Sequence, residues 1–217
     1  MKDYIDIYKS KLISAPEAIE KIRSGDVVGV GGPSNQPSTL LAQFHLLKDY
    51  GRKNVTIFHL SGQVRGTFQY YTDPAMKGTL RVHACFYNKL SADVQKYGVV
   101  SLVPYQVYRA YKPYPINVFM TSCSRPDKNG YVRMSLGALG EGPAWRQAER
   151  IICEVNENFP MTNGDLAIPV ERVDWFVKGD GKMIIYPEID LSETEKKIGR
   201  NVASLDRKST RLNSSHV

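Results

Sequence analysis

The sequence predicts an α/β domain on an open, mostly parallel, doubly wound sheet. Three observations carry that reading. Short continuous runs of Val, Ile and aromatic residues recur along the chain, amphipathic stretches alternate with them, and the first run ends in a glycine-rich turn. Runs that are apolar throughout suit strands covered on both faces.

The elements follow in order. Ser14-Ala-Pro-Glu17 is a capping box with Pro16 in the first turn, and it opens a helix whose Ala18, Ile19 and Ile22 share a face until Gly25 stops it. Val27 to Gly32 reads as a buried strand running into a glycine turn. A second helix follows Pro37, with Leu40, Leu41, Phe44 and Leu47 on one side and Gly51 past its end. Val55 to Leu60, Leu80 to Phe86, Val99 to Val103, Ile116 to Thr121 and Ile151 to Val155 are further strand runs. Pro126-Asp-Lys-Asn-Gly130 is a turn signal between two such runs and predicts one local antiparallel hairpin.

Composition bounds the function classes. The 217 residues, 42% apolar and 24% charged, form a chain able to bury a core and unlike a disordered or fibrous one. No apolar run nears the ~20 residues of a membrane span, and the N-terminus lacks a signal-peptide core, so the expected partners include no membrane and the expected address is cytoplasmic. The formal charge is +7, yet Lys and Arg are scattered and never interleaved with stacking aromatics. Nucleic acid is therefore not an expected partner, whereas a modest positive field suits an anionic small molecule. Cys85, Cys123 and Cys153 are widely spaced, form no C-x-x-C and read as reduced packing thiols, with no metal site expected.

The stretch 206–217 carries only Leu212 and Val217 as large apolar residues and cannot offer a core-facing stripe. It resembles adapter-encoded sequence and is expected to be a non-native tail. The expected organisation is a domain over 1–190, the start of a linker helix over 191–205, and that tail.

Gly29-Val-Gly31-Gly32-Pro33-Ser-Asn35-Gln36-Pro37 lies between a strand and a helix, where open α/β sheets bind ligands. As a dinucleotide fingerprint it fails, because Ser34 stands where the third glycine would fall and no acidic residue ends the second strand. By residue type alone a tight turn and a ligand loop are equally served. Its place at a strand's carboxyl end favours the ligand.

Taken together, Lys11 to Asp26, the glycine loop with Pro37, Ile116 to Phe119 leading to Ser124-Arg-Pro-Asp-Lys-Asn-Gly-Tyr131, and Ile151 to Pro160 resemble the acetyl-CoA hydrolase/transferase family. That family includes acetate, butyryl-CoA:acetate and 4-hydroxybutyrate CoA-transferases, and the resemblance is collinear over residues 1 to 205. It implies a CoA-transferase-like domain truncated before a second, similar domain, and a homodimer when full length. Ser192 to Leu205 resembles the helix leading into that second domain. The implied reaction moves CoA from an acyl-CoA to a carboxylic acid through a glutamyl-CoA thioester on a glutamate of the second domain. No catalytic residue is thus expected in this chain, which by itself should be inactive. Coenzyme A thioester enters as substrate, with no permanently bound cofactor. By position, Gly31 and Gly32 match the loop whose backbone amides meet the thioester oxyanion, with Pro33, Asn35 and Gln36 beside them. Pro33 departs from the aromatic found there in relatives.

Other residues are read more plainly. Glu141, in Gly140-Glu-Gly-Pro143, is expected to face solvent at a helix start. Glu154, Asn156 and Glu157 end a strand near the cleft, with Glu154 and Asn156 as cleft candidates. His45, His59 and His83 lack spaced partners and are expected to be packed or solvated. Tyr70-Tyr71 and Tyr105 to Tyr114 suit ordinary packing. Open alternatives are a hydrolase of the same family, a sugar-phosphate isomerase-like enzyme, and a non-enzymatic nucleotide-binding module.

Overall fold

The computed structural model describes residues 4–59, 73–86, 96–106, 109–134, 140–164, 166–183 and 188–205. Leu60, Tyr70-Tyr71 and the tail at 206–217 lie outside them.

Residues 1–183 form one compact unit. Its strands are β1 (Leu12–Ile13), β2 (Val27–Val30), β3 (Val55–His59), β4 (Leu80–Ala84), β5 (Val100–Leu102), β6 (Val118–Cys123), β7 (Tyr131–Arg133), β8 (Arg150–Val155), β9 (Ala167–Pro169) and β10 (Trp175–Lys178). Its helices are α1 (Tyr4–Ser10), α2 (Ala15–Glu20), α3 (Ser38–Leu41), α4 (Leu46–Asp49) and α5 (Glu141–Gln147). Eight strands make one sheet in the order β1-β10-β8-β6-β2-β3-β4-β5, and every neighbouring pair is parallel. The doubly wound reading holds.

From β2 the chain builds outward through β3, β4 and β5, then returns to place β6 on the other side of β2 and builds outward through β8 and β10. The direction of winding therefore reverses between β2 and β6. At such a switch the loops leaving two adjacent strands diverge to opposite faces and leave a crevice. The glycine loop leaves β2 at that point.

Each face of the sheet has its own core. Val28, Val30, Ile57, Val82, Met120 and Ile152 pack with Ile19, Leu40, Leu41 and Phe44 on one side. Phe58, Phe119, Ile151, Cys153 and Phe176 pack with Tyr111 and Ala144 on the other. The period-two alternation that separates neighbours such as Ile57 and Phe58 places apolar groups on both sides, so the strands read as continuous apolar runs.

The capping box forms as expected: Ser14 Oγ accepts the Glu17 N–H while Glu17 returns a carboxylate to the Ser14 N–H. Gly25 and Gly51 take positive φ, at 82° and 67°. The helix after Pro37 divides into α3 and α4, yet Leu40, Leu41, Phe44 and Leu47 are all fully buried.

One expectation is corrected. The turn at 126–130 forms, with Asp127 N–H donating to Tyr131 O at 2.8 Å and Gly130 at φ 81°. The returning strand β7 pairs antiparallel with β9, in a separate two-stranded sheet, and does not form a hairpin ladder with β6. Both edges of β6 are already taken by β2 and β8, so it has no ladder groups to offer. Strands β1, β9 and β10 were not apparent in the apolar pattern. Each is short, and β1 is exposed at Leu12.

Residues 184–217 form the second unit, whose helix α6 (Glu193–Leu205) opens on another capping box, Ser192 with Glu195.

Candidate functional site

The loop from Gly31 to Pro37 is built almost entirely from buried residues held by named bonds. Gly31 N–H donates to Met120 O at 2.8 Å, continuing the strand ladder one residue past β2. Gly32 N–H donates to the Glu141 carboxylate, N to Oε1 2.6 Å. Pro33 opens a 3₁₀ turn closed by Asn35 N–H on Gly32 O at 2.9 Å. From the end of β6, Thr121 Oγ1 donates to Asn35 O at 3.4 Å and Ser122 Oγ to Gln36 O at 3.0 Å. A Cβ on Gly31 would stand 2.5 Å from Thr121 Oγ1 and 2.9 Å from Asn35 O, so only glycine fits.

Two expectations change here. The amide hydrogens of Gly31 and Gly32, expected to face a thioester oxyanion, are both committed within the protein. Glu141, expected to face solvent, is fully buried. Its second oxygen accepts the Gly140 N–H at 2.8 Å, so the carboxylate bridges two backbone amides and is satisfied without water. A lone acidic residue between glycines reads as a surface turn in sequence, and only long-range contact reveals otherwise.

The groups left over are side-chain amides. Asn35 is fully buried, and neither its Oδ1 nor its Nδ2 has a hydrogen-bond partner. Gln36 is 6% exposed and its Nε2 is unpartnered. A buried amide left unpaired costs about 1–3 kcal/mol, so this pair is a poor design for stability alone. The hydroxyls of Thr121 and Ser122 were missed. Their signal was two polar residues closing an otherwise apolar strand.

Glu154, at the end of β8, is 3% exposed and accepts the Leu40 N–H at 3.0 Å from the start of α3. Burial raises its pKa to about 7, against the Leu40 hydrogen bond that lowers it. Asn156 is spent on shaping the strand end: its N–H donates to Cys123 O, its Nδ2 to Lys182 O, and its Oδ1 accepts the Asn158 N–H. Glu157 makes an exposed ion pair with Arg125 at 3.2 Å.

His59 ends β3 beside Val30, and burial lowers its pKa to about 4, which keeps it neutral. His83 Nδ1 meets Tyr114 Oη at 2.9 Å, and His45 Nδ1 meets Ala42 O at 3.0 Å. The three cysteines are buried and free. Tyr111 is buried against Phe58 and Phe119, whereas Tyr105 is 43% exposed. Among the described residues no group of three His, Cys, Asp or Glu could hold a metal ion, and no helix is long and apolar enough to cross a membrane. A cavity of about 330 Å³ lined by Asn54, Thr56, Lys77 and Arg81 lies at the amino ends of β3 and β4, the end of the sheet opposite the loop.

Residues 76–186 match the acetyl-CoA hydrolase/transferase N-terminal domain. The chain belongs to the acetyl-CoA hydrolase/transferase family. Two curated relatives extend the likeness over 94% of the chain. One, at 30% identity over 208 residues, is a 4-hydroxybutyrate coenzyme A transferase of Clostridium kluyveri, of which the chain covers 48%. The other, at 26% identity, is a succinyl-CoA:cyclohexane-1-carboxylate CoA transferase of Geobacter metallireducens, of which it covers 46%. The chain thus spans about half the length of the curated relatives it matches. Among solved structures, RipA from Yersinia pestis superposes with a TM-score of 0.78 at 21% identity, over 88% of this chain and 47% of that one. At that identity the likeness supports the family fold alone. The glycine loop precedes the matched segment, whereas Met120, Thr121, Ser122, Glu141 and Glu154, which hold it, fall within it.

Proposed function

We propose that this chain supplies the N-terminal half of an acyl-CoA:carboxylate CoA-transferase acting on a short-chain acyl-CoA and an acid such as acetate. The observation that carries the reading is the family match, joined to a loop with unpaired buried amides at the switch point of the sheet.

In the reaction proposed, a glutamate carboxylate attacks the thioester carbonyl and CoA leaves as thiolate, giving an acyl-glutamyl anhydride. The thiolate then attacks the glutamyl carbonyl, forming a glutamyl-CoA thioester and releasing the first acid. The second acid repeats the two steps in reverse and departs as the new acyl-CoA. No residue of this chain is assigned the glutamate's role, which the family resemblance gives to a second domain. The chain's contribution is the loop Gly31–Gln36, with Pro33 fixing the turn and the amides of Asn35 and Gln36 offering the hydrogen bonds that a carbonyl or carboxylate oxygen takes up. Gly31 is the close-packed position of that loop and Gly32 its bonded anchor, and Glu154 fixes its far end. The protein acts as a cytoplasmic homodimer in which CoA is substrate and no cofactor is permanently bound.

The test incubates the complete natural polypeptide carrying this sequence with butyryl-CoA and isotopically labelled acetate. Label appearing in acetyl-CoA supports the transferase. Thiol release independent of added acid would assign the hydrolase instead, and neither signal, over a range of short acids, would remove the reading. Asn35→Ala should then lower kcat by about 10²-fold, the scale of one lost oxyanion donor. An unchanged kcat in a folded variant would take Asn35 out of the site.

A further inference from the structure

Glu141 combines features that packing alone does not require. It is fully buried, it stands in the first turn of α5, and none of the ion pairs among the described residues includes it. Burying a carboxylate without a cation is expensive, so the site must return hydrogen bonds to it. It receives two, both from backbone amides: Gly32 N–H at 2.6 Å and Gly140 N–H at 2.8 Å. The shorter is in the range of a charge-assisted bond, about twice as strong as a neutral one.

The Gly32 bond determines more than its own energy. Residues 30–32 are held at three successive positions: Tyr111 Oη donates to Val30 O, Gly31 N–H donates to Met120 O, and Gly32 N–H donates to Glu141. The third bond orients the Gly31–Gly32 peptide plane. Gly32 O, in the following peptide, accepts the Asn35 N–H, so Gly32 is held on both sides of its Cα and its setting is passed along the 3₁₀ turn to the residue whose side-chain amide is unpaired. A carboxylate this close to the Gly32 amide would also repel an oxyanion brought to the same N–H, which argues that the ligand's oxygen is received elsewhere on the loop.

We propose that Glu141 is a positioning residue of the transferase, fixing the Gly31–Gly32 peptide so that the Asn35 and Gln36 amides meet the acyl or carboxylate oxygen. The inference rests on the transferase reading given above. Glu141 touches no reacting atom and acts through the loop.

Two variants test it in the complete natural polypeptide. In Glu141→Gln the amide oxygen can still accept from Gly32, but the NH₂ group then faces the Gly140 N–H donor to donor, so both contacts cannot persist. In Glu141→Asp the charge remains while the reach shortens by one methylene. Three quantities are read: amide exchange of Gly32, steady-state kinetics of CoA transfer, and the melting temperature. In both variants Gly32 exchange should rise, kcat should fall by about 10²-fold, as expected for a misplaced binding group, and KM for the acyl-CoA should change little. A merely structural residue would lower the melting temperature and leave the kcat of the folded fraction intact, and that result overturns the proposal. Failure of both variants to fold would overturn it too, by assigning Glu141 to stability. A wild-type protein that transfers no CoA would fail the functional reading itself, an outcome distinguishable because it does not depend on Glu141.

Discussion

The carboxylate of Glu154 accepts the backbone N–H of Leu40 at 3.0 Å across 114 residues of sequence, joining the end of β8 to the first turn of α3. The bond is made in a site dry enough to raise the Glu154 pKa from 4.5 to about 7. Below pH 4.5 the group is protonated in both states and costs nothing. As pH rises toward 7 the unfolded chain releases the proton first, and stability declines by an amount on the order of 3 kcal/mol.

His59 has the opposite sign. Its pKa is lowered from 6.5 to about 4 by burial, so its neutral form stabilises the fold fully above pH 6.5. That contribution falls away as pH drops toward 4, again by about 3 kcal/mol. The two windows overlap and largely cancel. We therefore expect the wild-type melting temperature to vary little between pH 6.5 and 4.5, and that of Glu154→Gln to fall steeply as pH drops from 6.5 to 4.5, because the His59 loss is no longer offset. Denaturant melts at half-unit steps read this directly, and equal pH slopes in the two proteins would show that Glu154 titrates at an ordinary pKa.

Arg150 places both Asp26 oxygens within 2.9 Å of its Nη2 and donates from Nη1 to Lys21 O at 2.7 Å. The pair is about nine-tenths buried and ties β8 to the start of β2. Arg150→Met should cost about 3–5 kcal/mol by stranding Asp26, and the double variant Asp26→Leu/Arg150→Met should recover much of it, since a removed pair leaves no buried charge. Equal losses in the single and double variants would mean that the pair's value lies in packing.

Gly31→Ala should destabilise by about 2 kcal/mol or more, because its methyl would overlap Thr121 Oγ1 and Asn35 O. Adding Thr121→Ala should recover only part, as the Asn35 carbonyl stays in place. A drop of several degrees in melting temperature checks the first statement, on a scale of about 2–4 °C per kcal/mol for a chain of this size. A Gly31→Ala variant as stable as wild type would show that the loop can relax, and would reopen the position to a functional substitution.

The strand order could be anticipated only in class. Stretches such as Val118–Met120 and Ile151–Cys153 are apolar at successive positions because both faces are covered, and that pattern, with glycine turns and alternating helices, is enough for a doubly wound parallel sheet. The capping box at Ser14 was equally legible, since donor and acceptor lie three residues apart and need no tertiary partner. The glycine loop could be placed at a strand's carboxyl end for the same local reason.

The occupants of that loop's hydrogen bonds are a different matter. Gly32 and Glu141 are 109 residues apart, and Leu40 and Glu154 are 114 apart. A buried carboxylate is indistinguishable from an exposed one in a local window, because burial is decided by which strands become neighbours. The 126–130 turn failed as a hairpin for the same reason: the turn chemistry is local, but the ladder it would need on β6 was taken by β2 and β8. Local bonds and periodicity were thus set by the sequence as read along the chain. Charge burial and pairing were decided only by the closed sheet, since desolvation and ladder saturation depend on neighbours that no short segment contains.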